Sequence, residues 1–518
     1  MAEKIVIDPV TRIEGHLSIT VEVENGVVKD AWSAGTMFRG FEVLLQGKDP
    51  RDAVYVTDRV CGVCTGSHGW ASALALDEAF GATVPEAGVL MRNLMMGAIW
   101  LHDHPLHFYH LSALDYIDVT AVAQYKGNDP KLNAVKDKIV ALVQAGDAHP
   151  LVPRYQPDEF SVKDPELVTT AVYHYLFALD MQAKAKRMAA LLGGKIPHNS
   201  AMVVGGFTNF PSVETLNNYR SLLLEQIDFL ENVYLKDVLI FGTGPLLPLA
   251  QAGIGGGYGN FMAYGGFHDD VEKKNLFFKP GVIVNGNIDQ VLEFTPDKIT
   301  EEITYSWYNG EAKHPSEGET KVNPDKENAY SFVKAPRYEA YAMEVGPLAR
   351  MLINKPQVLM DVIKKYNIKP GAVARHAARA VEAVLLAKQL LVWVDKMYEL
   401  IGKGDIKIHD NTKWQPPKEG KGAGLNEAPR GALGHWVNIK DQKIENYQLV
   451  VPSTWNFSPR DDKKKRGPVE EALIGVPVPD PKNPINVVRV VRSFDPCLSC
   501  AIHLIEPETN EILKYRVL

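Results

Sequence analysis

Residues 59–68 read Arg-Val-Cys-Gly-Val-Cys-Thr-Gly-Ser-His, and residues 495–503 read Asp-Pro-Cys-Leu-Ser-Cys-Ala-Ile-His. These two stretches contain all four cysteines of the 518-residue chain, as the pairs Cys61/Cys64 and Cys497/Cys500. Two intervening residues allow both sulfurs of a pair to bind one ion, and thiolates are strong ligands for nickel, iron and zinc. We therefore expect the fold to bring both ends of the chain together around one soft-metal centre.

The cysteine spacing alone leaves two other interpretations open. A structural zinc site could use the same four thiols, although zinc ribbons usually close within about 15–20 residues. A dithiol redox pair would need only one of the two pairs, on a thioredoxin-like unit, and would leave the other pair unexplained. The spacing favours a shared metal without excluding either alternative.

The composition indicates a large folded protein without a strongly charged surface. Hydrophobic residues make up 46% of the chain, which is enough for an extensive core. The net charge of -7 does not support a nucleic-acid or anionic-membrane partner recruited by bulk charge. The N-terminus lacks an apolar signal segment, and the most apolar stretch, residues 383–394, contains Lys388 and is too short to cross a bilayer. We expect no export signal or membrane anchor within the chain.

The hydrophobic periodicity predicts an α+β fold that is mainly α. Residues 4–32 alternate in polarity around the turn Glu24-Asn25-Gly26, which predicts a β-hairpin. Apolar residues then recur at helical spacing in the segments 71–79, 90–101, 168–192, 216–234 and 372–401. The Gly/Pro-rich segments 241–266 and 414–434 contain no phosphate-binding motif and are predicted to be long ordered loops. The prediction is a long-helix bundle core, an N-terminal β-hairpin region and little other strand.

The residues that flank the cysteines resemble the large, catalytic subunit of [NiFe] hydrogenases of the respiratory uptake group. The resemblance covers essentially the whole chain, and its motifs occur in order. They are Arg12-Ile13-Glu14-Gly15-His16, the segments 35–42 and 59–68, His102-Asp103-His104, and the segments 344–350, 428–435, 450–456 and 495–503. The resemblance implies the fold of that subunit, with residues 1–503 as a single large catalytic subunit and residues 504–518 as a C-terminal extension.

The resemblance implies a nickel–iron centre held by the four thiolates. Cys61 and Cys497 correspond to terminal nickel ligands, while Cys64 and Cys500 correspond to ligands that bridge nickel to iron. The iron would carry carbon monoxide and cyanide, as a Ni–Fe(CO)(CN)2 centre. Such a centre cleaves H2 heterolytically and reversibly into protons and electrons. Cys500 and Glu14 are the implied first proton acceptors.

The resemblance also assigns residues around the open side of this centre. Arg430 corresponds to a guanidinium suspended over the two metals, and Asp103 and Asp495 correspond to the carboxylates that orient it. Without the resemblance, Asp103 could equally cap a turn or pair with a histidine, and Glu14 could form a surface salt bridge. Ser453, with Arg430, corresponds to a donor to the cyanides. The apolar wall around carbon monoxide would consist of Leu433, Val451 and Pro452.

A second metal site and an interface residue are implied as well. Glu42, His503 and the main-chain carbonyl of Leu449 correspond to the family's magnesium or iron position. His198 corresponds to the histidine that faces the proximal iron–sulfur cluster of the partner. The alternative for His198 is a hydrogen-bonded histidine at a helix end.

The chain has no spare cysteine for an iron–sulfur wire, so a partner must carry the electrons. The resemblance implies an iron–sulfur small subunit that also brings the export signal, which places the heterodimer in the periplasm, peripheral to the membrane through the small subunit or a cytochrome. A maturation endopeptidase would cleave after His503. The alternative function is an H2-sensing regulatory or non-catalytic subunit, which the retained cysteines and their flanks disfavour.

Overall fold

The computed structural model describes residues 3–147, 149–151, 154–271, 274–404 and 406–501. His503 and the extension 504–518, for which the sequence made predictions, lie outside the described residues.

Helices contribute most of the regular structure. They are α1 (Phe41–Leu45), α2 (Asp52–Asp58), α3 (Ser67–Phe80), α4 (Glu86–Pro105), α5 (Pro130–Gln144), α6 (Pro165–Gly193), α7 (Val213–Phe229), α8 (Leu235–Thr243), α9 (Leu247–Ala252), α10 (Pro347–Asn354), α11 (Gln357–Tyr366), α12 (Ala372–Lys403), α13 (Pro452–Asn456), α14 (Pro468–Ala472), α15 (Ile485–Ser493) and α16 (Leu498–Ala501). Single π-helical turns follow α4, at Leu106–Ser112, and α7, at Leu230–Tyr234.

In the described part of the chain, the strands form two three-stranded antiparallel sheets and four short two-stranded ladders. The first sheet has the order β1 (Glu3–Ile7), β2 (Leu17–Glu24), β3 (Val27–Gly35), and the ladders pair β4 (Met202–Val203) with β5 (Gly206–Phe207), β6 (Phe261–Ala263) with β9 (Gly281–Ile283), β7 (Gly266–His268) with β8 (Leu276–Phe278), and β10 (Ile299–Glu302) with β11 (Ala335–Tyr338). The second sheet has the order β12 (Glu419–Ala428), β13 (Gly431–Lys440), β14 (Lys443–Val450).

The predicted helices and hairpin are confirmed. The five periodic segments lie in α3, α4, α6, α7 and α12, and the fourth continues from α7 through its π-helical turn. The predicted turn joins β2 to β3, where Glu24 pairs with Val27. Asn25 and Gly26 have φ angles of 54° and 73°, the left-handed values that a two-residue hairpin turn requires. Strand β1 extends this hairpin to a sheet.

The prediction of a loop at 414–434 was wrong, because β12 and the first part of β13 occupy most of it. The sequence of β12 does not look like a strand, because three of its alternating positions are glycines, which are poor strand formers. A Cβ at each glycine would lie within 2.5 Å of a carbonyl oxygen of α3: Gly420 on Ala79, Gly422 on Ala75 and Gly424 on Ala71. Glycine is required because the strand lies directly on the helix backbone. The segment 241–266 likewise contains α9 and β6.

The core is built around the long helices. Helix α4 packs against α6 and α12, and α12 also contacts α7, α8 and α10. Trp100 of α4 and Trp393 of α12 are fully buried in one continuous hydrophobic cluster that extends to the first sheet. Within the described ranges, none of the helices combines the length and the apolar composition of a membrane span.

Candidate metal centre

The four cysteines, remote in sequence, lie together. Their sulfur atoms are all within 4.8 Å of one another, and all four are buried free thiols. The Sγ–Sγ distances are 3.3 Å for Cys61–Cys497, 3.8 Å for Cys64–Cys500 and 2.7 Å for Cys497–Cys500. An ion at about 2.3 Å from each sulfur holds two sulfurs at most about 4.6 Å apart, and these three distances lie below that limit. The cluster therefore has the dimensions of a shared metal site, as the sequence predicted.

The first pair lies in a short loop between α2 and α3. The backbone N–H of Cys64 donates to Cys61 Sγ at 3.2 Å, which folds the two thiols toward the same side. The N–H of Gly66 donates to Asp58 Oδ1 at 2.7 Å, so the last residue of α2 closes the loop just before α3 begins. Asp58 is buried, and burial raises its pKa to about 7. No role was predicted for Asp58 from the sequence.

The second pair is held by remote segments. The N–H of Cys497 donates to Ser453 Oγ at 3.0 Å, at the start of α13. The backbone of Glu14 pairs with the same loop on both sides, because its N–H donates to the carbonyl of Pro496 at 3.2 Å and its carbonyl accepts from Leu498 at 2.7 Å. A Cβ at Gly15 would lie 2.2 Å from the backbone nitrogen of Ser499. The N-terminal motif thus fits tightly against the second pair.

The electrostatics of the thiols favour a bound cation. Burial is the largest influence on Cys61, Cys497 and Cys500 and acts to raise the pKa of each. For Cys61, hydrogen bonds with the other thiols and the positive charge of Arg430 outweigh burial and hold its pKa well below the usual value. The pKa values of Cys497 and Cys500, in contrast, lie well above the usual value of a cysteine thiol. The negative charge of one thiolate repels a second negative charge and so disfavours ionisation of the neighbouring thiols. A bound soft cation offsets that repulsion.

Glu14 reaches the cluster with its side chain. Its Oε2 lies 3.3 Å from Cys497 Sγ, and the residue is half-buried, so the carboxyl also approaches the surface. Burial, followed by the charge on Cys61, raises the pKa of Glu14 above its usual value. Cys500, the other implied proton acceptor, lies 2.7 Å from Cys497 on the inner side of this contact.

Arg430 lies in the two-residue turn between β12 and β13. Its Nη1 donates to Asp103 Oδ2 at 3.1 Å, and its Nη2 lies 3.0 Å from Asp495 Oδ1. All three side chains are at most 2% exposed. Among the residues that the structure describes, the Nε of Arg430 has no hydrogen-bond partner, and neither do the oxygens of Asp495 beyond this ion pair. Buried donors require acceptors, so the guanidinium has capacity left for a ligand.

Arg350 was missed by the sequence analysis as a functional residue, although it lies in a quoted motif. It is fully buried on α10 and pairs with Glu427 at 2.6 Å. Its Nη1 and Nη2 also donate to the carbonyl oxygens of Ala428 at 3.1 Å and Pro429 at 2.9 Å. Arg350 therefore fixes the backbone from which Arg430 extends. An arginine on an otherwise apolar helix was the available signal.

The residues expected around the iron ligands are all buried. Ser453 contacts the second cysteine pair through the N–H of Cys497. Val451 follows the last residue of β14, and Pro452 begins α13 immediately before Ser453. Leu433 lies in β13 opposite Asn426.

Glu42 is a fully buried carboxylate on α1. Its Oε1 accepts from the N–H of Leu449 at 2.9 Å, and its Oε2 accepts from the Thr320 hydroxyl and lies 3.6 Å from Lys334 Nζ. Lys334 also lies 3.3 Å from Glu301, and burial raises the pKa of Glu301 to about 7. The structure thus brings Glu42 and Leu449 together. The third expected ligand, His503, lies outside the described residues.

His198 is half-buried and hydrogen-bonded to the first cysteine loop. Its N–H donates to Thr65 Oγ1 at 2.6 Å, and its Nε2 lies 3.3 Å from the carbonyl oxygen of Cys61. The residue follows α6 and has a φ of 58°. It lies next to a candidate metal ligand.

Comparison with known proteins gives consistent matches over the whole chain. The nickel-dependent hydrogenase family matches residues 39–503, and a HoxL-like pattern matches residues 4–33. The chain is 38% identical to the uptake hydrogenase large subunit of Bradyrhizobium diazoefficiens, over 99% of this chain and 97% of that protein. It is 41% identical to the periplasmic [NiFeSe] hydrogenase large subunit of Desulfomicrobium baculatum, over 98% and 96%. A reduced, active structure of the D. baculatum enzyme superposes with a TM-score of 0.85 at 40% identity, over 97% of this chain and 100% of that one.

Proposed function

The chain belongs to the nickel-dependent hydrogenase family and has its large-subunit fold, and from that premise we propose how its own residues serve H2 oxidation. The relatives it matches are hydrogenase large subunits, so the chain is an oxidoreductase of this type. The alternative of a regulatory, H2-sensing subunit receives no support from them.

The four-thiol cluster is the observation that carries the proposal. Cys61 and Cys497 would bind nickel alone, and Cys64 and Cys500 would bind both nickel and an iron that carries carbon monoxide and cyanide. Thiols within 4.8 Å of one another, of which only some can ionise without a cation, fit a soft metal pair. When bound, this centre supplies the Lewis acidity and redox capacity for splitting H2.

Glu14 carries the proton away from the cluster. Its carboxyl lies 3.3 Å from Cys497 Sγ, and its raised pKa makes it a better proton acceptor than an ordinary glutamate. Because Glu14 is half-buried, the proton can continue to the surface. Since the carboxyl contacts Cys497, we assign that thiol as the neighbour in the transfer, with Cys500 as the second candidate.

Arg430 provides a fixed positive charge over the cluster. Asp103 and Asp495 hold the guanidinium on two sides, and Arg350 holds its backbone. A positive charge that is already oriented requires no rearrangement during the reaction. The unpartnered donor of Arg430 and the hydroxyl of Ser453 suit the cyanides, while Leu433, Val451 and Pro452 enclose the carbon monoxide.

We assign the second metal site, for magnesium or iron, to Glu42, the carbonyl of Leu449 and His503. The support is the buried carboxylate of Glu42 beside the backbone of Leu449, because carboxylate and carbonyl oxygens are ligands that magnesium uses.

An iron–sulfur small subunit completes the electron path. All four cysteines of the chain are in the cluster, so none remains to bind an iron–sulfur cluster. His198, beside the first cysteine loop, marks the face that meets this partner. The complex works in the periplasm, attached to the membrane through the small subunit, after an endopeptidase has removed residues 504–518. A periplasmic relative supports this location.

Infrared spectroscopy of the purified heterodimer tests the centre. We expect nickel and iron in the protein and absorption bands of metal-bound carbon monoxide and cyanide, with neither bands nor nickel in protein produced without nickel. Zinc as the sole metal, or missing bands, would overturn the proposal. Mass spectrometry of the same sample should give a chain that ends at His503.

A further inference from the structure

We propose that His102 is a positioning residue for the hydrogenase reaction: its imidazole fixes the Asp103 carboxylate that holds Arg430. The inference rests on the proposed role of Arg430 and adds a residue to which no role was assigned above.

Among the described residues, the carboxylate of Asp103 has one partner on each oxygen. His102 Nδ1 lies 2.7 Å from Oδ1, and Arg430 Nη1 donates to Oδ2 at 3.1 Å. Asp103 is 0% exposed, so water does not replace a lost partner. Loss of the imidazole leaves one oxygen unpaired and allows the carboxylate to rotate away from the guanidinium.

The contact between His102 and Asp103 is not a routine feature of a helix. Neighbouring residues of an α-helix point in different directions and do not usually face each other. Here both residues lie in the last turn of α4, immediately before Pro105 and the π-helical turn that follows. His102 Nδ1 nevertheless reaches the carboxylate of its neighbour at 2.7 Å.

His102 acts as a neutral donor. Burial lowers its pKa below the usual value, more than the hydrogen bond with Asp103 raises it, and the nearby cations Lys186 and Arg430 lower it further. A further titratable group near the His102 imidazole is His110, on the π-helical turn that follows α4. A neutral imidazole beside a carboxylate places its proton on Nδ1. The negative charge of Asp103 therefore remains available to Arg430.

The last turn of α4 also supports Arg430 indirectly, through a series of contacts that begins at His104. His104 Nε2 lies 3.2 Å from Glu382, whose carboxylate accepts from Arg350 Nη2 at 2.8 Å. Arg350 in turn binds the carbonyl oxygen of Pro429 at 2.9 Å. His104 thus supports the backbone of the turn, while His102 supports the guanidinium. Of the two histidines, only His102 reaches the surface, with 9% exposure.

Three variants of the heterodimer test the proposal. His102→Asn retains an amide N–H near the position of Nδ1, whereas His102→Leu removes the donor and keeps an apolar side chain of similar size. His110→Leu is the matched control, because His110 is a half-buried histidine that binds Tyr175 and Gln182 and does not contact Arg430.

We expect His102→Leu to retain nickel and iron, to lower H2 oxidation about tenfold and to shift the infrared bands of the cyanide ligands. His102→Asn should stay within about threefold of the wild type with unshifted bands, and His110→Leu should match the wild type. If His102→Leu does not accumulate with metal, His102→Phe takes its place with the same readouts.

Unchanged bands and rate in the donor-free variant would overturn the proposal. Equal losses in His102→Asn and His102→Leu would also overturn it, because the hydrogen bond would then not be the cause. A wild-type heterodimer without the diatomic bands would instead overturn the proposed function. The two failures are therefore distinguishable.

Discussion

The loop of the first cysteine pair is closed by a contact within its own neighbourhood of the sequence, with His198 as a distant further contact, whereas the second pair is held by distant parts of the chain. Around Cys61 and Cys64, the closing contact joins residues that are 8 apart, Asp58 and Gly66. The contacts to Cys497 come from Ser453 and Glu14, which are 44 and 483 residues away. The contact that closes the first loop is therefore local, whereas the second loop depends on contacts that span most of the chain.

This difference has an energetic consequence. The entropy cost of closing a loop grows with the logarithm of its length, so the contact across 483 residues costs about 4 kcal/mol more than one across 8. The contact between Asp58 and Gly66 that closes the first loop needs only α2 and the start of α3. The second forms only after the N-terminal motif, α13 and α15 have packed. We therefore expect the second pair to limit assembly of the metal centre.

Removing one thiol from either half should have the largest effect and should not discriminate between the halves. Cys64→Ser and Cys500→Ser each replace a proposed bridging thiolate by a hydroxyl, which is a poor ligand for soft metals. We expect loss of the diatomic bands and of H2 oxidation in both variants, with nickel content as the measurement. Normal nickel content in either variant would contradict the proposed ligand set.

The contact between the N-terminal motif and the second pair should be essential for proton transfer but not for assembly. Glu14→Gln keeps the backbone pairing with residues 496–498, but its amide cannot accept a proton at neutral pH. We expect H/D exchange activity to fall about 100-fold or more while the infrared bands stay in place. Glu3→Gln, at an exposed position on β1, is the control. Unchanged exchange in Glu14→Gln would refute the relay.

Disturbing the close packing of β12 on α3 should have the next largest effect, because this packing positions Arg430 relative to the first cysteine pair. Gly424→Ala would put a Cβ 1.9 Å from the carbonyl oxygen of Ala71. We expect a loss of about 3 kcal/mol in the free energy of unfolding, measured with denaturant, since backbone must move. Gly402→Ala on α12 meets nothing within 4 Å and should be neutral or slightly stabilising. Equal stability of the two variants would contradict the tight packing.

Two smaller changes test whether the halves are independent. Asp58→Ala leaves the N–H of Gly66 without its acceptor, and Ser453→Ala does the same to the N–H of Cys497, at a cost of about 1–3 kcal/mol each. By hydrogen exchange and mass spectrometry, we expect faster exchange in 59–68 for the first variant and in 495–500 for the second. Asp58→Asn, which keeps an acceptor oxygen, is the control. Faster exchange in both segments for both variants would show that the halves are coupled.

The same contrast explains what the sequence could predict. Long helices and the hairpin at Asn25-Gly26 follow from local periodicity and turn chemistry, and the meeting of the four cysteines follows from their scarcity. The strand β12 was not predictable, because its glycines are explained only by the backbone of α3. Asp58, His102 and Arg350 were missed as functional residues because their roles depend on tertiary contacts. The contact of Arg350 with Pro429, for example, spans 79 residues.

Glu470 should have the mildest effect. Its carboxyl contributes to the stability of the region around the second cysteine pair, and we expect that contribution to depend on pH. Its buried carboxyl binds the N–H of Ser33 at 2.9 Å and the Tyr330 hydroxyl at 2.8 Å. It also accepts from the N–H of Gly467 at the start of α14, which contacts α13 and therefore the segment that holds Cys497. Burial raises its pKa from 4.5 to about 7.

Because the folded state binds this proton more tightly than the unfolded state, the resulting stability is complete below pH 4.5 and is lost as the pH rises through about 7. The loss is at most about 1.4 kcal/mol for each pH unit. Thermal unfolding between pH 5 and 8 should therefore show a steeper decline for the wild type than for Glu470→Gln, which cannot titrate. Identical slopes would mean that Glu470 ionises normally in the folded protein, and the support of the second half would then not depend on pH through this residue.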